Sequence, residues 1–76
     1  MVKVLIRTKP GCLFCDRLKM ALTELKVAYE EEVINSGVAP IMLVNGTVAY
    51  TGLPPYKELV EFCNENRLVG GINDGV

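Results

Sequence analysis

Two cysteines three positions apart, in Cys12-Leu13-Phe14-Cys15, are the residues of this chain best suited to covalent chemistry. A thiolate attacks disulfides, and a second thiol one helical turn away can resolve the mixed disulfide that forms. The same spacing also makes half of a zinc site, because two thiolates occupy two corners of a tetrahedron. The remaining cysteine is Cys63, and the chain has no histidine. That composition excludes a Cys–His nucleophile-and-base pair and leaves a zinc site short of ligands. Two other readings stay open: both cysteines packed inertly in a core, or Cys12 binding an iron–sulfur cluster with an external thiol. The zinc and cluster readings together make the alternative to catalysis, a non-catalytic metal or iron–sulfur binding module.

The elements that must position Cys12 and Cys15 are legible around them. Residues 2–8 are aliphatic and β-branched and predict a strand, which Pro10-Gly11 breaks. From Leu13 to about Lys26 the pattern is helical, with Cys15, Leu18, Leu22 and Leu25 on one stripe. Cys12 therefore stands at a helix N-terminus, where unpaired N–H groups and the helix dipole favour an anion and lower a thiol's pKa. Cys12 is the candidate nucleophile, Cys15 the resolving thiol, and Lys9 a candidate cation beside them.

Downstream, 27–34 reads as a second strand and Asn35-Ser36-Gly37 as a turn. Ile41-Met42-Leu43-Val44 is a third strand, and Asn45-Gly46 predicts a hairpin into a fourth at 47–50. After Gly52-Leu53-Pro54-Pro55 a last helix runs from Tyr56 to about Asn66, with Tyr56, Leu59, Val60 and Cys63 inward. Cys63 on that stripe reads as a buried, inert thiol. The order is β-α-β-β-β-α. A right-handed crossover pairs the first two strands in parallel, and both helices lie on one face of a mixed sheet. Lys3 and Arg7 then fall beside Glu30 and Glu32 on the other face, which reads as uncovered. The glycine-rich tail from about residue 68 reads as loose.

With 76 residues the chain is one domain, 1–76, and half of it is hydrophobic, enough for a core without metal or disulfide staples. Net charge is −1 with no basic run, so nucleic acid is not an expected partner. The apolar stretches are too short to span a membrane. Met1 leads into Val2-Lys3-Val4-Leu5-Ile6-Arg7 without a signal-peptide layout, so the expected location is the reducing cytoplasm. There, a Cys-X-X-Cys pair points to redox chemistry or metal more than to a structural disulfide.

The segment Thr8-Lys9-Pro10-Gly11-Cys12-Leu13-Phe14-Cys15 resembles the active-site segment of glutaredoxins, and Val38-Ala39-Pro40 resembles that family's Thr-Val-Pro element. Asn45-Gly46 and Tyr50-Thr51-Gly52 are similar to the hairpin and bordering loop that follow. The resemblance implies an α/β thioredoxin-like fold of glutaredoxin type with a four-stranded mixed sheet. It also implies a cis Pro40 facing the cysteines, with the Ala39 backbone free to pair with substrate. The implied activity is thiol–disulfide oxidoreduction, reducing protein or mixed disulfides by a dithiol mechanism. Lys9, Leu13, Phe14, Val38, Ala39, Pro40, Thr51 and Gly52 then make the substrate surface. No bound cofactor or metal is expected.

Three departures shape the details. Leu13-Phe14 replaces the usual Pro-Tyr, so the redox potential is not carried over. Leu53-Pro54-Pro55 replaces the acidic residues that hold the amino end of glutathione, and Tyr50–Pro55 looks more like the NrdH-type redoxins that serve ribonucleotide reductase. That enzyme is therefore a client by resemblance, with glutathione or a thioredoxin reductase as electron source. The helix that most relatives place between strands two and three is missing here. Its loss would leave open the face that carries Lys3, Arg7, Glu30 and Glu32, solvated in a monomer or available for self-association.

Overall fold

The computed structural model describes residues 2–68. Six elements follow in the expected order: β1 (Val4–Thr8), α1 (Leu13–Glu24), β2 (Glu30–Val33), β3 (Ile41–Val44), β4 (Thr47–Thr51) and α2 (Tyr56–Glu65). The sheet order is β2-β1-β3-β4. β1 pairs with β2 in parallel, while β3 is antiparallel to both β1 and β4. No helix lies between β2 and β3, where residues 34–40 form an irregular crossing. The tail from residue 69 on lies outside the described residues.

Alternation along β1 sorts its side chains. Val4, Ile6 and Thr8 are buried towards the helices, and Leu5 and Arg7 face the other way. Val4 and Ile6 join Leu18 and Leu22 of α1, Met42 of β3, and Leu59 and Cys63 of α2 in one core, so both helices cover the same sheet face. Tyr50 and Phe62 meet edge-to-face at 5.3 Å between ring centroids, fixing α2 on β4. Each fully buried aliphatic side chain contributes roughly 1.5–3 kcal/mol. The exposed ion pairs opposite are worth about 1 kcal/mol or less each. The core therefore sets the fold, and the pairs decorate it.

Those pairs are where the sequence placed them: Lys3–Glu30 at 3.5 Å and Arg7–Glu32 at 3.0 Å. The uncovered face is less wet than its charges suggest. Leu43 is only 8% exposed there, because register sets it between Leu5 and Val48. Charge lines the β2 side, and aliphatic side chains fill the centre.

The start of β2 differs from the sequence reading because of how α1 stops. Val27 was expected to begin a strand, but β2 starts at Glu30. Lys26 takes a left-handed φ of 60°, its N–H bonds to Thr23 O, and Val27 N–H bonds to Leu22 O at 2.9 Å. This is a Schellman stop, with Val27 packed in the same core as Leu22. α2 ends the same way through Arg67, φ 57°, and Leu68 N–H to Cys63 O at 2.8 Å. Glycine is the usual residue at such a stop, and lysine and arginine hide it. Tyr56 is a further correction: at the first turn of α2 it is 52% exposed and does not face inward.

Candidate functional site

Strand β1 ends at Thr8, and a turn through Pro10 and Gly11 delivers Cys12 to the start of α1. Gly11 has φ +72°, a conformation that glycine adopts without strain. Cys12 is the N-cap of α1, with extended backbone (φ −88°, ψ 111°). Its Sγ accepts the Cys15 N–H at 3.1 Å, the role usually taken by a serine or aspartate oxygen. The Asp16 N–H bonds to Cys12 O at 3.2 Å and opens the helical ladder, and the Cys12 N–H bonds back to Lys9 O at 3.3 Å. Cys12 and Cys15 are joined as a disulfide, with Cα atoms 5.2 Å apart. Cys15 is 1% exposed and Cys12 half-buried, so only the first sulfur is open to an incoming thiolate or disulfide.

Strand register brings the other loops to the same end. Arg7 pairs with Ile41, so Pro40 lies level with the end of β1. Ile41 pairs in turn with Thr51, and the Ile34 N–H bonds to Thr8 O at 2.8 Å. The ends of β1, β2 and β4 and the beginning of β3 thus share the rim that carries Cys12. The Ala39–Pro40 peptide is cis, and Pro40 is fully buried. The Gly52 N–H donates to Pro40 O at 2.7 Å, tying the loop after β4 to the proline loop, and Gly52 sits at φ +89°. Around this rim Leu13, Phe14 and Val38 are exposed, Thr51 is exposed, and Lys9, Ala39 and Gly52 are half-buried. The two cysteines and the residues that the resemblance assigned to the substrate surface therefore lie along one end of the sheet.

Sequence reasoning missed two contributions to this end. Leu53 and Tyr56, in the loop before α2 and its first turn, add exposed apolar surface. Behind the cysteines, Thr8 is buried, and its hydroxyl donates to Glu31 at 2.8 Å. Lys19, one turn beyond Cys15, reaches Glu31 at 3.0 Å and Asp16 at 3.7 Å. The Thr8 hydroxyl, and then Lys19, hold the Glu31 carboxyl below its ordinary range; the bond to Glu31 raises Lys19. The available signal was the strand alternation, which puts Glu31 on the helix side of β2.

Cys63 is fully buried in the core, and burial pushes its thiol up. Among the described residues there is no group of three or more His, Cys, Asp or Glu side chains placed to hold a metal ion. No helix of the described chain is long and apolar enough to cross a membrane.

Comparison with known proteins bears on this geometry. Residues 4–37, just under half of the chain, match the glutaredoxin family model. No curated protein matches the chain. Among solved structures, glutaredoxin 1 from Francisella tularensis, crystallised in complex with cacodylate, superposes with a TM-score of 0.64. The two are 19% identical, and the match covers 90% of this chain and 98% of the other. At that identity the likeness speaks for the fold. The fold is thus thioredoxin-like, of the glutaredoxin type, in the α/β class, and the Cys12–Cys15 pair lies inside the segment that is similar to glutaredoxins.

Proposed function

We propose that the chain is a dithiol oxidoreductase that reduces protein or mixed disulfides, with Cys12 as nucleophile and Cys15 as resolving thiol. The observation that carries this reading is the pairing of Cys12 and Cys15 at the N-terminus of α1, with the Cys15 N–H on the Cys12 sulfur. The same N–H, with the helix dipole, favours a thiolate at Cys12 once the disulfide is reduced. That thiolate attacks one sulfur of a substrate disulfide, forming a mixed disulfide and expelling the first substrate thiolate. Cys15 then attacks the Cys12 sulfur and expels the second. Two electrons pass to the substrate, and the Cys12–Cys15 disulfide is left for an external reductant.

Leu13, Phe14 and the Val38–Pro40 loop supply apolar contact around Cys12, with the Ala39 backbone available to an extended segment. Thr51 and Gly52 border that segment, and Lys9 is the cation nearest in sequence to Cys12. Glutathione or a thioredoxin reductase recharges the protein in a reducing cytoplasm. Ribonucleotide reductase is the client suggested by the likeness of Tyr50–Pro55. Titration against glutathione and dithiothreitol buffers, with alkylation and mass counting, tests the reading. A reversible Cys12–Cys15 disulfide, and a mixed disulfide trapped at Cys12 by Cys15→Ser, supports it. Thiols that never pair, or that react only after metal is stripped, overturn it.

A further inference from the structure

Helix α1 has a second character beyond its buried stripe. Leu13 is 61% exposed, Phe14 55% and Met20 64%. Leu13 and Arg17 are four apart, Phe14 and Arg17 three, and Arg17 and Met20 three, so the four side chains are neighbours on the outer surface. Single exposed apolar residues are ordinary; three gathered around one cation beside a reactive sulfur form a patch. Among the described residues, no carboxylate lies within ion-pair distance of Arg17, Lys9 or Lys57, whereas Lys3, Arg7 and Lys19 are each tied to a glutamate of β2. Lys9 precedes Cys12, and Lys57 stands in the first turn of α2, where the helix dipole disfavours a cation. Lys26 and Arg67, at the C-terminal stops of the two helices, are likewise without a carboxylate partner among the described residues. The disulfide end is therefore marked by Lys9, Arg17 and Lys57 standing beside exposed apolar side chains, and not by the absence of pairing alone.

We infer that the outer ridge Leu13–Phe14–Arg17–Met20 is the docking surface for the client chain, and that the client is a protein segment carrying a carboxylate and an apolar residue near its disulfide cysteine. This inference rests on the dithiol reading above and adds the recognition chemistry of its substrate. The ridge sets the spacing. From Leu13 to Arg17 the helix rises about 6 Å, and from Leu13 to Met20 about 10 Å. An extended chain covers these distances in about two and three residues. The carboxylate therefore belongs about two residues from the cysteine, with the apolar side chain one residue further. A tripeptide thiol is too short to fill the ridge to Met20.

The test is single-turnover reduction of disulfide-linked peptide dimers by the reduced protein, followed by alkylation and mass counting. One peptide carries aspartate two residues from its cysteine on either side, with leucine beyond. The other is identical except for lysine at those positions. Hydroxyethyl disulfide, small and neutral, reports the dithiol chemistry alone. The expected result is that the aspartate peptide reacts about three- to tenfold faster than the lysine peptide at low salt, the gap closing as salt rises. In Arg17→Glu the preference shrinks or inverts, and Met20→Ser slows both peptides while keeping the preference. Misfolding lowers all three rates together, so Arg17→Gln provides a milder second variant, expected to narrow the gap. Equal rates for the two peptides at low salt overturn the inference while the dithiol reading survives. So does a dimer at assay concentration that Met20→Asp dissociates, because the ridge is then covered by a second copy. Failure to reduce hydroxyethyl disulfide overturns the dithiol reading itself.

Discussion

Gly46 and Gly52 offer a matched pair of perturbations, one at each end of β4. Both have positive φ, +84° and +89°, and an added Cβ meets nothing within 4 Å at either. Substitution by alanine therefore carries a backbone cost and no steric one. Holding an L-residue in the left-handed region costs about 1–2 kcal/mol. Alanine also restricts the unfolded chain, which returns about 0.4–1 kcal/mol. The net loss is at most about 1.6 kcal/mol for each variant, at about 4–8 °C in melting temperature per kcal/mol for a domain of this size. Asparagine tolerates positive φ better, so Gly→Asn loses less than Gly→Ala at both sites. The two positions separate in function. The Gly52 N–H holds Pro40 O at 2.7 Å beside the proline loop, whereas Gly46 turns the hairpin at the far end. Weakening a hydrogen bond of this kind is worth about 0.5–1.5 kcal/mol, or about two- to tenfold in rate. Urea unfolding of the oxidised protein reads stability, and stopped-flow reduction of a peptide disulfide reads exchange. Gly52→Ala slows exchange and Gly46→Ala leaves it unchanged, at similar stability cost. Equal effects on exchange would refute the coupling of Gly52 to the proline loop. A loss above about 3 kcal/mol at either site would refute the backbone-only cost.

Other outcomes follow from the same geometry. Lys26→Gly stabilises the protein by about 0.5–1 kcal/mol in urea unfolding, because it relieves a left-handed lysine at the α1 stop. Iodoacetamide labels Cys12 in the native reduced protein and reaches Cys63 only after unfolding; early modification of Cys63 would contradict its burial. Glu31 is depressed by Thr8 and Lys19, so its contribution to stability is present above the ordinary carboxylate range, near about 4.3, and is lost as pH falls through the lower folded value. The stability difference between the protein and Glu31→Gln therefore shrinks as pH falls from above the ordinary carboxylate range through the lowered folded value. A difference that grows on acidification reverses the sign and sinks the assignment.

The sequence by itself determined what depends on local patterning. Apolar period and turn residues fixed the order of six elements, because Pro10-Gly11, Asn45-Gly46 and Gly52-Leu53-Pro54-Pro55 break the chain where few alternatives exist. Strand alternation likewise set Lys3 and Arg7 beside Glu30 and Glu32, and the Cys-X-X-Cys spacing placed one thiol at a helix start with the other a turn inside. What only the tertiary structure decided involves residues distant in sequence or a backbone state that composition hides. Leu43 is covered on a face that otherwise looks wet, because register sets Leu5 and Val48 on either side. Lys26 and Arg67 stop their helices in left-handed geometry, which side chains of that kind do not advertise. Thr8, Glu31 and Lys19 meet because β1, β2 and α1 converge behind Cys15, and no one of the three marks the others. Local rules read a chain over a turn or a strand; contacts between elements depend on how those elements pack, which is a property of the whole chain.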